Sequence, residues 1–426
     1  MNTFNLTPLE KSWILYDVGN SAFVLLAATL LPIFFNALAS GAGLNEDLYL
    51  SYWAYAGSIV TVLVAIIGPI CGSLTDQKGF KKPIFILSML LGAIGCVALG
   101  IASSWILFLV IFIIAKVGFS SSIVFYDSML PEITTEERMD KVSSAGYAYG
   151  YIGSVIPFIV CLVLVLCYEM IGISQTTAMI IAFAITGIWW IACSVPLLKR
   201  YKQTAYIERR KSAVRETFLE LGSTIKHAAR HPKIGLYLIA FFFFINGVYT
   251  IIDMATAYGT SLGLDTTGLL LALLVTQIVA FPFAILFGRL ASKVRPGKLM
   301  KICILCYTGI TMFAVFLVTQ WQFWLLAVLV GMFQGAIQAL SRSYLGKIIP
   351  AERSGAYYGL MDICGKGASF LGALLVGLVT QLTTDWVIPP IFGVQLQNQN
   401  LAVGTLIILF VIGYLLFCKA DKLNNK

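Results

Sequence analysis

Charged side chains are scarce in this chain. Asp, Glu, Lys and Arg make up only 12% of its 426 residues, whereas 59% of the residues are hydrophobic. A soluble domain carries about 25% charged residues. A water-soluble protein of this length could not cover its surface with so few charges, so the excess apolar surface requires lipid as its solvent. We therefore predict an all-α integral membrane protein.

Histidine is almost absent. The chain has only His227 and His231. It contains no H-E-x-x-H motif, no histidine within an apolar stretch and no second catalytic constellation. The two histidines are spaced i, i+4, as metal ligands can be, but no nearby acid completes a site, and a solvated helix explains them better. We expect no enzymatic activity, no bound metal and no cofactor.

Long apolar runs fill most of the chain. A helix needs about 20 apolar residues to cross about 30 Å of hydrocarbon. Twelve segments meet this requirement, and the first has no small-residue cleavage site after it, so we expect it to be retained as an anchor. The predicted spans are roughly 12–39, 50–74, 83–101, 104–128, 146–168, 175–198, 234–258, 266–290, 299–319, 322–345, 355–380 and 398–418.

The positive charges lie on one side of these spans. If the N-terminus is cytoplasmic, every Lys and Arg except Lys116 and Lys366 falls in a tail, in an even-numbered loop or at a span end beside one. The odd-numbered loops carry only acids. Because Lys and Arg concentrate in cytoplasmic loops, we predict that both termini are cytoplasmic. The net charge of +9 is thus a topology signal, and we expect no nucleic-acid binding.

The two halves of the chain resemble each other. Gly72–Lys82 follows the second span, and the similar segment Gly288–Lys298 follows the eighth. Leu130–Arg138 and Ile349–Arg353 follow the fourth and tenth spans in the same way. Similar offsets favour duplicated six-helix halves, as transporter folds often show. The predicted domains are a six-helix bundle over 1–198, a cytoplasmic linker over 199–233 and a second six-helix bundle over 234–426.

Polar residues form stripes on spans 1, 4, 7 and 10, the same element of each three-helix unit. A polar face in lipid must turn toward protein or water, so the four faces most simply line one shared cavity. Any single Asn or Gln could instead hydrogen-bond a neighbouring helix. The stripes are Asp17, Asn20 and Ser21; Lys116, Ser120 and Asp127; Asn246, Tyr249, Thr250 and Asp253; and Gln334, Gln338, Ser341 and Arg342.

Two sets of functional residues follow from these stripes and from span 11. The predicted substrate contacts are Asn20, Asn246, Tyr249, Asp253, Gln334 and Gln338. The predicted coupling or gating residues are Asp17, Lys116, Asp127, Arg342, Asp362 and Lys366. Lys116 needs an anionic partner, and Asp17, Asp127 and Asp253 are equally available. Asp362 and Lys366, spaced i, i+4, either neutralise each other or form a switch linked to protons or substrate.

Together these features predict a secondary transporter that moves a small organic solute by alternating access and works as a monomer. Protons are the expected coupling ion. A lipid or lysolipid transporter is the alternative that a lateral opening and a cavity with one apolar half would favour. A non-transporting membrane receptor would need a large extramembrane surface, for which residues 199–233 are the only candidate.

The loop after the second span resembles the signature loop of the major facilitator superfamily. It reads Gly72-x-x-x-Asp76-x-x-Gly79-x-Lys81-Lys82. Its Phe80 stands where that pattern usually has Arg, and in the second copy Ser292 occupies the Asp position.

This resemblance implies a conformational latch formed by Gly72, Asp76, Gly79 and Lys81. In the superfamily the glycine permits close helix approach. The Asp meets the N-terminal end of helix 11, here near Ser354, where the helix dipole favours a negative charge. The contact helps to latch the outward-open state.

Three further segments resemble one branch, the "unknown major facilitator" family, which is related to the vacuolar amino-acid effluxer of autophagy. They are Tyr16–Phe23, Ser144–Gly153 and Gln338–Ser343 with Pro350, beside the Asp-containing span 7. The resemblance covers nearly the whole chain. It implies twelve transmembrane helices in two pseudo-symmetric six-helix bundles. It also implies export of neutral amino acids and, for a chain of this kind, a place in a bacterial inner membrane.

Overall fold

Helices joined by short loops make up most of the described part of the computed structural model, which also has one isolated β-bridge between Gln77 and Ile207. It describes residues 5–208, 213–383, 386, 390 and 395–424. Only the backbone is described for residues 46, 47, 49, 50, 213–220, 266, 270 and 366–370.

The helices up to residue 200 cover the first six predicted spans. A 3₁₀ turn, Leu99–Ile101, extends the third of them. The helices are α1 (Pro8–Gly41), α2 (Glu46–Thr75), α3 (Lys81–Ala98), α4 (Trp105–Ser128), α5 (Leu130–Ile133), α6 (Glu136–Leu166), α7 (Tyr168–Ile171) and α8 (Gln175–Arg200).

The rest of the chain holds one helix in the predicted linker and the helices of the last six predicted spans. They are α9 (Ala213–Arg230), α10 (Pro232–Ser261), α11 (Thr266–Leu290), α12 (Pro296–Val315), α13 (Gln320–Ile348), α14 (Ser354–Leu382), α15 (Asn398–Gly404) and α16 (Leu406–Asn424).

The surface of the helices is apolar. Ile101, Leu166 and Met170 are 76%, 71% and 89% exposed. In the described part of the chain, eleven helical segments are long and apolar enough to cross a membrane, and α14 covers the remaining predicted span. Water would not tolerate so much exposed apolar surface, whereas lipid does. The predicted all-α, multi-pass membrane fold is therefore confirmed.

The largest difference from the predicted spans is at the start of the fifth. We predict this span from residue 146, but α6 begins at Glu136. Glu136 and Glu137 lie in the first turn, where the helix dipole favours negative charge. A span that is predicted from its apolar length ends where polar residues begin, although the helix itself continues into them. The last span is also divided, because α15 ends at Gly404 and α16 begins at Leu406.

The chain forms two compact units. The first consists of Met1–Thr135, Tyr149–Leu221 and Pro350–Gly359. The second consists of Glu136–Ala148, Gly222–Ile349 and Leu360–Lys426. The first unit is built mainly from the N-terminal half of the sequence but includes Pro350–Gly359 from the C-terminal half. The second unit is built mainly from the C-terminal half but includes Glu136–Ala148 from the N-terminal half.

The two units use the same set of internal helix pairs. In the first, α1 packs on α8, α2 packs on α4, and α3 packs on both α4 and α8. In the second, α10 packs on α16, α11 packs on α13, and α12 packs on both α13 and α16. These are corresponding helices in chain order, so the packing repeats as the sequence offsets indicate.

Glycines bring α1 and α6 close together within the first unit. A Cβ added at Gly150 would lie 2.9 Å from the hydroxyl of Ser21, and one added at Gly153 would lie 3.1 Å from the Cβ of Val18. Small residues allow membrane helices to approach each other closely. The motif Tyr16–Phe23 therefore meets the end of the motif Ser144–Gly153, at Gly150 and Gly153, along this helix contact.

Candidate functional site

The signature loop meets the start of α14 within the first unit. The backbone N–H groups of Gly355 and Ala356 donate to the two carboxylate oxygens of Asp76 over 2.7 and 2.9 Å. Asp76 is 1% exposed. A helix N-terminus has unpaired N–H groups and a partial positive charge, so the buried carboxylate finds both hydrogen bonds and compensation there. Asp76 thus contacts the N-terminal end of α14, and its role in a latch stays a prediction.

Glycines allow the backbones of α2 and α14 to touch. A Cβ added at Gly72 would collide with the carbonyl oxygen of Gly355 and lie 3.0 Å from its carbonyl carbon. One added at Gly355 would lie 2.8 Å from Oδ1 of Asp76. Gly79 has a φ of 83°, a conformation that favours glycine, and it turns the loop from α2 into α3.

Lys81 is buried beside this contact. Its ammonium donates to Oε1 of Glu132 over 2.7 Å, to the Ser354 hydroxyl over 2.9 Å and to the Ser128 carbonyl over 3.4 Å. These three acceptors use all three of its N–H groups. The side chains of Lys81 and Glu132 are 0% and 1% exposed, and such a buried ion pair needs this complete hydrogen bonding.

Glu132 is not among the residues predicted from the sequence. The one signal for it is its place in the segment that the chain repeats around Glu352. The repeat indicates a structural unit but does not indicate that Glu132 contacts Lys81.

The second unit holds a polar cluster where α6 begins and α13 ends. Arg342, a predicted gating residue, is 2% exposed. Its Nε donates to the Ser143 hydroxyl over 2.9 Å, and a terminal guanidinium nitrogen donates to the Ser143 carbonyl over 2.8 Å. The guanidinium also lies over the ring of Tyr147, 4.4 Å from its centroid. This stacked, two-bond geometry suits Arg and not Lys.

An ion pair that the sequence did not predict belongs to the same cluster. Lys347 binds Asp140 with an N···O distance of 2.5 Å. The Ser343 hydroxyl donates to the other oxygen of Asp140 over 2.7 Å. The only sequence signal for this pair is that both charges lie at the polar ends of predicted spans.

Gly288, the counterpart of Gly72 in the second copy of the loop, also lies at a close helix contact. A Cβ added there would lie 2.7 Å from the Cβ of Ser144 in α6. Ser292, at the position of the acid, is exposed, and its hydroxyl donates to the Arg289 carbonyl within its own turn. The second copy of the loop therefore keeps a glycine at a close helix contact. It has Ser292 in place of the acid that caps a helix in the first copy.

A cavity of about 540 Å³ lies within the second unit. Helices α10, α11, α13 and α14 supply most of its walls, with apolar side chains such as Ile251, Leu273, Phe323 and Val330. Its described lining includes no charged side chain. The volume is in the range of small-molecule sites, about 300–1,000 Å³.

Among the predicted substrate contacts, Gln334 alone belongs to the described lining of this cavity. Gln334 is 7% exposed, and within the described part of the chain its amide makes no hydrogen bond. In contrast, the hydroxyls of Thr276 and Tyr258 donate to the carbonyls of Ala327 and Ala314. The Gln334 amide faces the cavity and is therefore available to a bound solute, for which a neutral hydrogen bond contributes about 0.5–1.5 kcal/mol.

Two predicted contacts are bonded within their own helices. The amide of Asn20 donates to the Tyr16 carbonyl over 2.8 Å in the first unit. In the second unit, Oδ1 of Asn246 accepts from the Thr250 hydroxyl over 3.4 Å. A Cβ added at Gly372 would collide with both of these side chains, so Asn246 faces the backbone of α14.

The remaining predicted residues differ in exposure. Asp17 is buried, Asp253 is exposed, and Lys116, Asp127, Tyr249, Gln338 and Asp362 are half-buried. The ammonium of Lys116 lies 5.1 Å from the ring centroid of Phe119 and 5.8 Å from that of Phe23. The Lys366 side chain lies outside the described residues, so its pairing with Asp362 stays a prediction. The shared cavity of spans 1, 4, 7 and 10 combines residues of both units and also stays a prediction.

The chain is similar to one family of membrane proteins over nearly its whole length. The family model described as "Vacuole effluxer Atg22 like" matches residues 9–418. The uncharacterized MFS-type transporter YxiO of Bacillus subtilis is 38% identical over 412 residues, which cover 96% of this chain and 93% of that protein. Autophagy-related protein 22 of Coccidioides immitis is 25% identical over 289 residues, or 61% of this chain and 47% of that protein. The match thus spans about half the length of this fungal relative.

Solved structures with the same fold are major facilitator transporters. The transporter FucP in its outward conformation has a TM-score of 0.69 at 15% identity, with 97% of each chain covered. The proton:xylose symporter XylE has a TM-score of 0.70 at 14% identity, with 96% of this chain and 94% of that chain covered. At these identities the similarity shows the fold alone.

Proposed function

The chain belongs to the Atg22-like vacuole effluxer family of major facilitator superfamily transporters, and we propose that it moves a small organic solute across the membrane by alternating access. It is a multi-pass integral membrane transporter and not an enzyme. We propose residues 1–198 and 234–426 as the two six-helix halves and residues 199–233 as the linker. In folds built from such repeats, the halves rock about a site near the middle of the membrane.

The unpaired amide of Gln334 in an uncharged cavity is the observation that carries this proposal. Mainly apolar walls that include the Gln334 amide suit a solute that has a mainly apolar surface and an uncharged hydrogen-bonding group. An amino acid fits if its charged groups bind outside this cavity, and we propose Asp253, a predicted substrate contact, for its ammonium group. Export is the direction that the family's name, vacuole effluxer, suggests.

We propose that the clusters around Asp76 and Arg342 form the inner gate. By sequence, each cluster joins a segment of one half to a segment of the other half. Both lie at helix ends beside loops rich in Lys and Arg, which the positive-inside rule places in the cytoplasm. The proposed setting is a bacterial inner membrane, with both termini cytoplasmic and a monomer as the working form. Opening toward the cytoplasm then requires these contacts to break.

A lipid or lysolipid is the second candidate solute, because the cavity walls are apolar and uncharged. An acyl chain fills such a space without leaving a charged group unpaired. A lysolipid in this cavity would also bind Gln334, because an uncharged oxygen of the lysolipid would accept a hydrogen bond from the Gln334 amide. One binding experiment separates the two candidates.

We expect one solute class to raise the melting temperature of the purified protein in a screen of amino acids, peptides, sugars and lysolipids. A ligand present at about 100 times its Kd adds about 2.7 kcal/mol to the stability of the folded state, which corresponds to a rise of roughly 3 °C for a chain of this length. Gln334→Ala removes this rise, because the solute loses its hydrogen-bonding partner.

Gln175→Ala is the matched control for this screen. Gln175 is exposed at the first residue of α8, so its variant keeps the full rise. A rise that persists in Gln334→Ala contradicts binding in this cavity, and a rise produced by lysolipids alone favours the second candidate.

We also propose proton coupling, through Asp17, Asp253 or the Asp362–Lys366 pair. Protein reconstituted into proteoliposomes is expected to take up the solute found in the screen faster when a pH gradient is imposed, because a carboxylate that binds a proton on one side of the membrane releases it on the other. The control is a potassium diffusion potential without a pH difference. Uptake that ignores the pH gradient removes this proposal.

A further inference from the structure

Residues 201–208, the segment that follows α8, lie along the signature loop within the first unit. We call this segment the strap. The N–H of Ile207 donates to the backbone carbonyl of Asp76 over 2.7 Å, and the N–H of Lys78 donates to the Ile207 carbonyl over 3.0 Å. These two bonds form the isolated parallel bridge between Gln77 and Ile207. The strap therefore holds the backbone of the residue whose side chain caps α14.

Gln203 adds three hydrogen bonds between the strap and the loop. Its Oε1 accepts from the N–H of Gly79 over 2.9 Å. Its Nε2 donates to the carbonyls of Thr75 and Gln77 over 3.0 and 3.3 Å. One side-chain amide thus satisfies backbone groups at both ends of the turn from α2 into α3, which would otherwise need water or another partner.

The strap also surrounds Glu132. Its Oε2 accepts from the backbone N–H groups of Thr204 and Ala205 over 2.6 and 3.2 Å. Its Oε1 accepts from the hydroxyl of Tyr201 over 3.0 Å, beside the ammonium of Lys81. Burial of a carboxylate is tolerated when its lone pairs are satisfied. The strap supplies most of these donors and covers the ion pair.

The Tyr201 hydroxyl stays a donor across the physiological pH range. Burial and the neighbouring Glu132 carboxylate raise the pKa of Tyr201 well above its usual value. The raised pKa keeps the phenol neutral, so its proton remains available to the carboxylate.

We propose that the strap positions Asp76, Lys81 and Glu132 for their contact with Ser354–Ala356 and thereby sets how readily the start of α14 is released. Asp76 binds the strap through its backbone and α14 through its side chain. Lys81 binds α14 directly and the strap through Glu132. The strap is also the first part of the connection between the two sequence halves, so tension in that connection acts on the latch. Only the link to transport rests on the proposed function.

Amide exchange at Gly355 and Ala356 measures this contact directly. First-turn N–H groups have no partner within their own helix, so their protection comes from Asp76. We expect the variant Tyr201→Phe/Gln203→Ala, in lipid nanodiscs, to exchange these two amides about tenfold faster than the wild type, because it removes hydrogen bonds that hold the latch. Lys202→Ala, an exposed neighbour within the strap, leaves the exchange unchanged.

Each outcome of this experiment decides the inference. Faster exchange at Gly355 and Ala356, with unchanged exchange in α12 and α13 of the second unit, supports it. Faster exchange confined to Thr204, Ala205 and Ile207 overturns it, as does no change at all. Tyr201→Phe alone replaces the double variant if that variant does not fold. No solute is present, so the result does not depend on whether the proposed function is correct.

Discussion

Lys81→Met lowers the free energy of unfolding by about 3–5 kcal/mol, because it leaves the buried carboxylate of Glu132 without its cation. The two side chains are 0% and 1% exposed, so water cannot replace the lost partner without opening the contact. The same substitution removes the hydrogen bond to Ser354 at the start of α14. The measurement is thermal unfolding of the purified protein, with an expected decrease of roughly 3–6 °C in the midpoint for a chain of this length.

The matched control is Lys78→Met in the same loop. Lys78 binds Glu208 over 3.1 Å, but the two side chains are 53% and 74% exposed. Exposed ion pairs contribute little because water and salt screen them, so the unfolding midpoint of this variant stays close to that of the wild type. Lys81→Met/Glu132→Gln recovers part of the lost stability, because it removes the stranded charge. Equal midpoints for Lys81→Met and Lys78→Met contradict this explanation.

Gly72→Ala reduces transport by roughly tenfold or more, because a single methyl group prevents α2 from reaching α14. The added Cβ would collide with the carbonyl oxygen of Gly355, and a backbone atom cannot rotate away as a side chain does. Overpacking of this kind costs about 1–3 kcal/mol, and here the cost is confined to the state in which the two helices touch. The measurement is the initial rate of solute release from proteoliposomes that contain equal amounts of folded protein.

Gly57→Ala is the control for this substitution. Gly57 lies in the same helix, and an added Cβ there meets nothing within 4 Å. This variant transports like the wild type and is slightly stabilised, because Ala favours a helix over Gly. If Gly72→Ala and Gly57→Ala release solute at the same rate, the contact between α2 and α14 is not part of the transport cycle.

The membrane fold could be predicted from the sequence because it depends on local composition. Apolar length gives the spans, and the repeated loops after Gly72 and Gly288 give the duplication. The start of α6 at Glu136 could not be predicted from apolar length, because caps and dipoles set the ends of helices in polar segments. The contact of Asp76 with α14 was expected only from the family resemblance.

The site was predicted less completely, because its contacts join residues that are distant in the chain. No periodic pattern relates Tyr201 to Glu132, or Asp140 to Lys347. The polar stripes do include Gln334, which lines the cavity, but the apolar walls of the cavity look in the sequence like any lipid-facing surface. Asn20 and Asn246 also belong to the polar stripes, but neither is part of the described lining of the cavity. Each is hydrogen-bonded within its own helix instead.

The most direct test of the central claim, that this chain is a transporter, is release from loaded proteoliposomes. Vesicles containing the wild-type protein are filled with a mixture of the twenty amino acids and lysolipids, and the compounds remaining inside are measured over time by mass spectrometry. We predict that at least one compound leaves wild-type vesicles faster than it leaves either protein-free vesicles or vesicles with Gly72→Ala. Equal rates for every compound in all three preparations would contradict transport of these solutes by this protein.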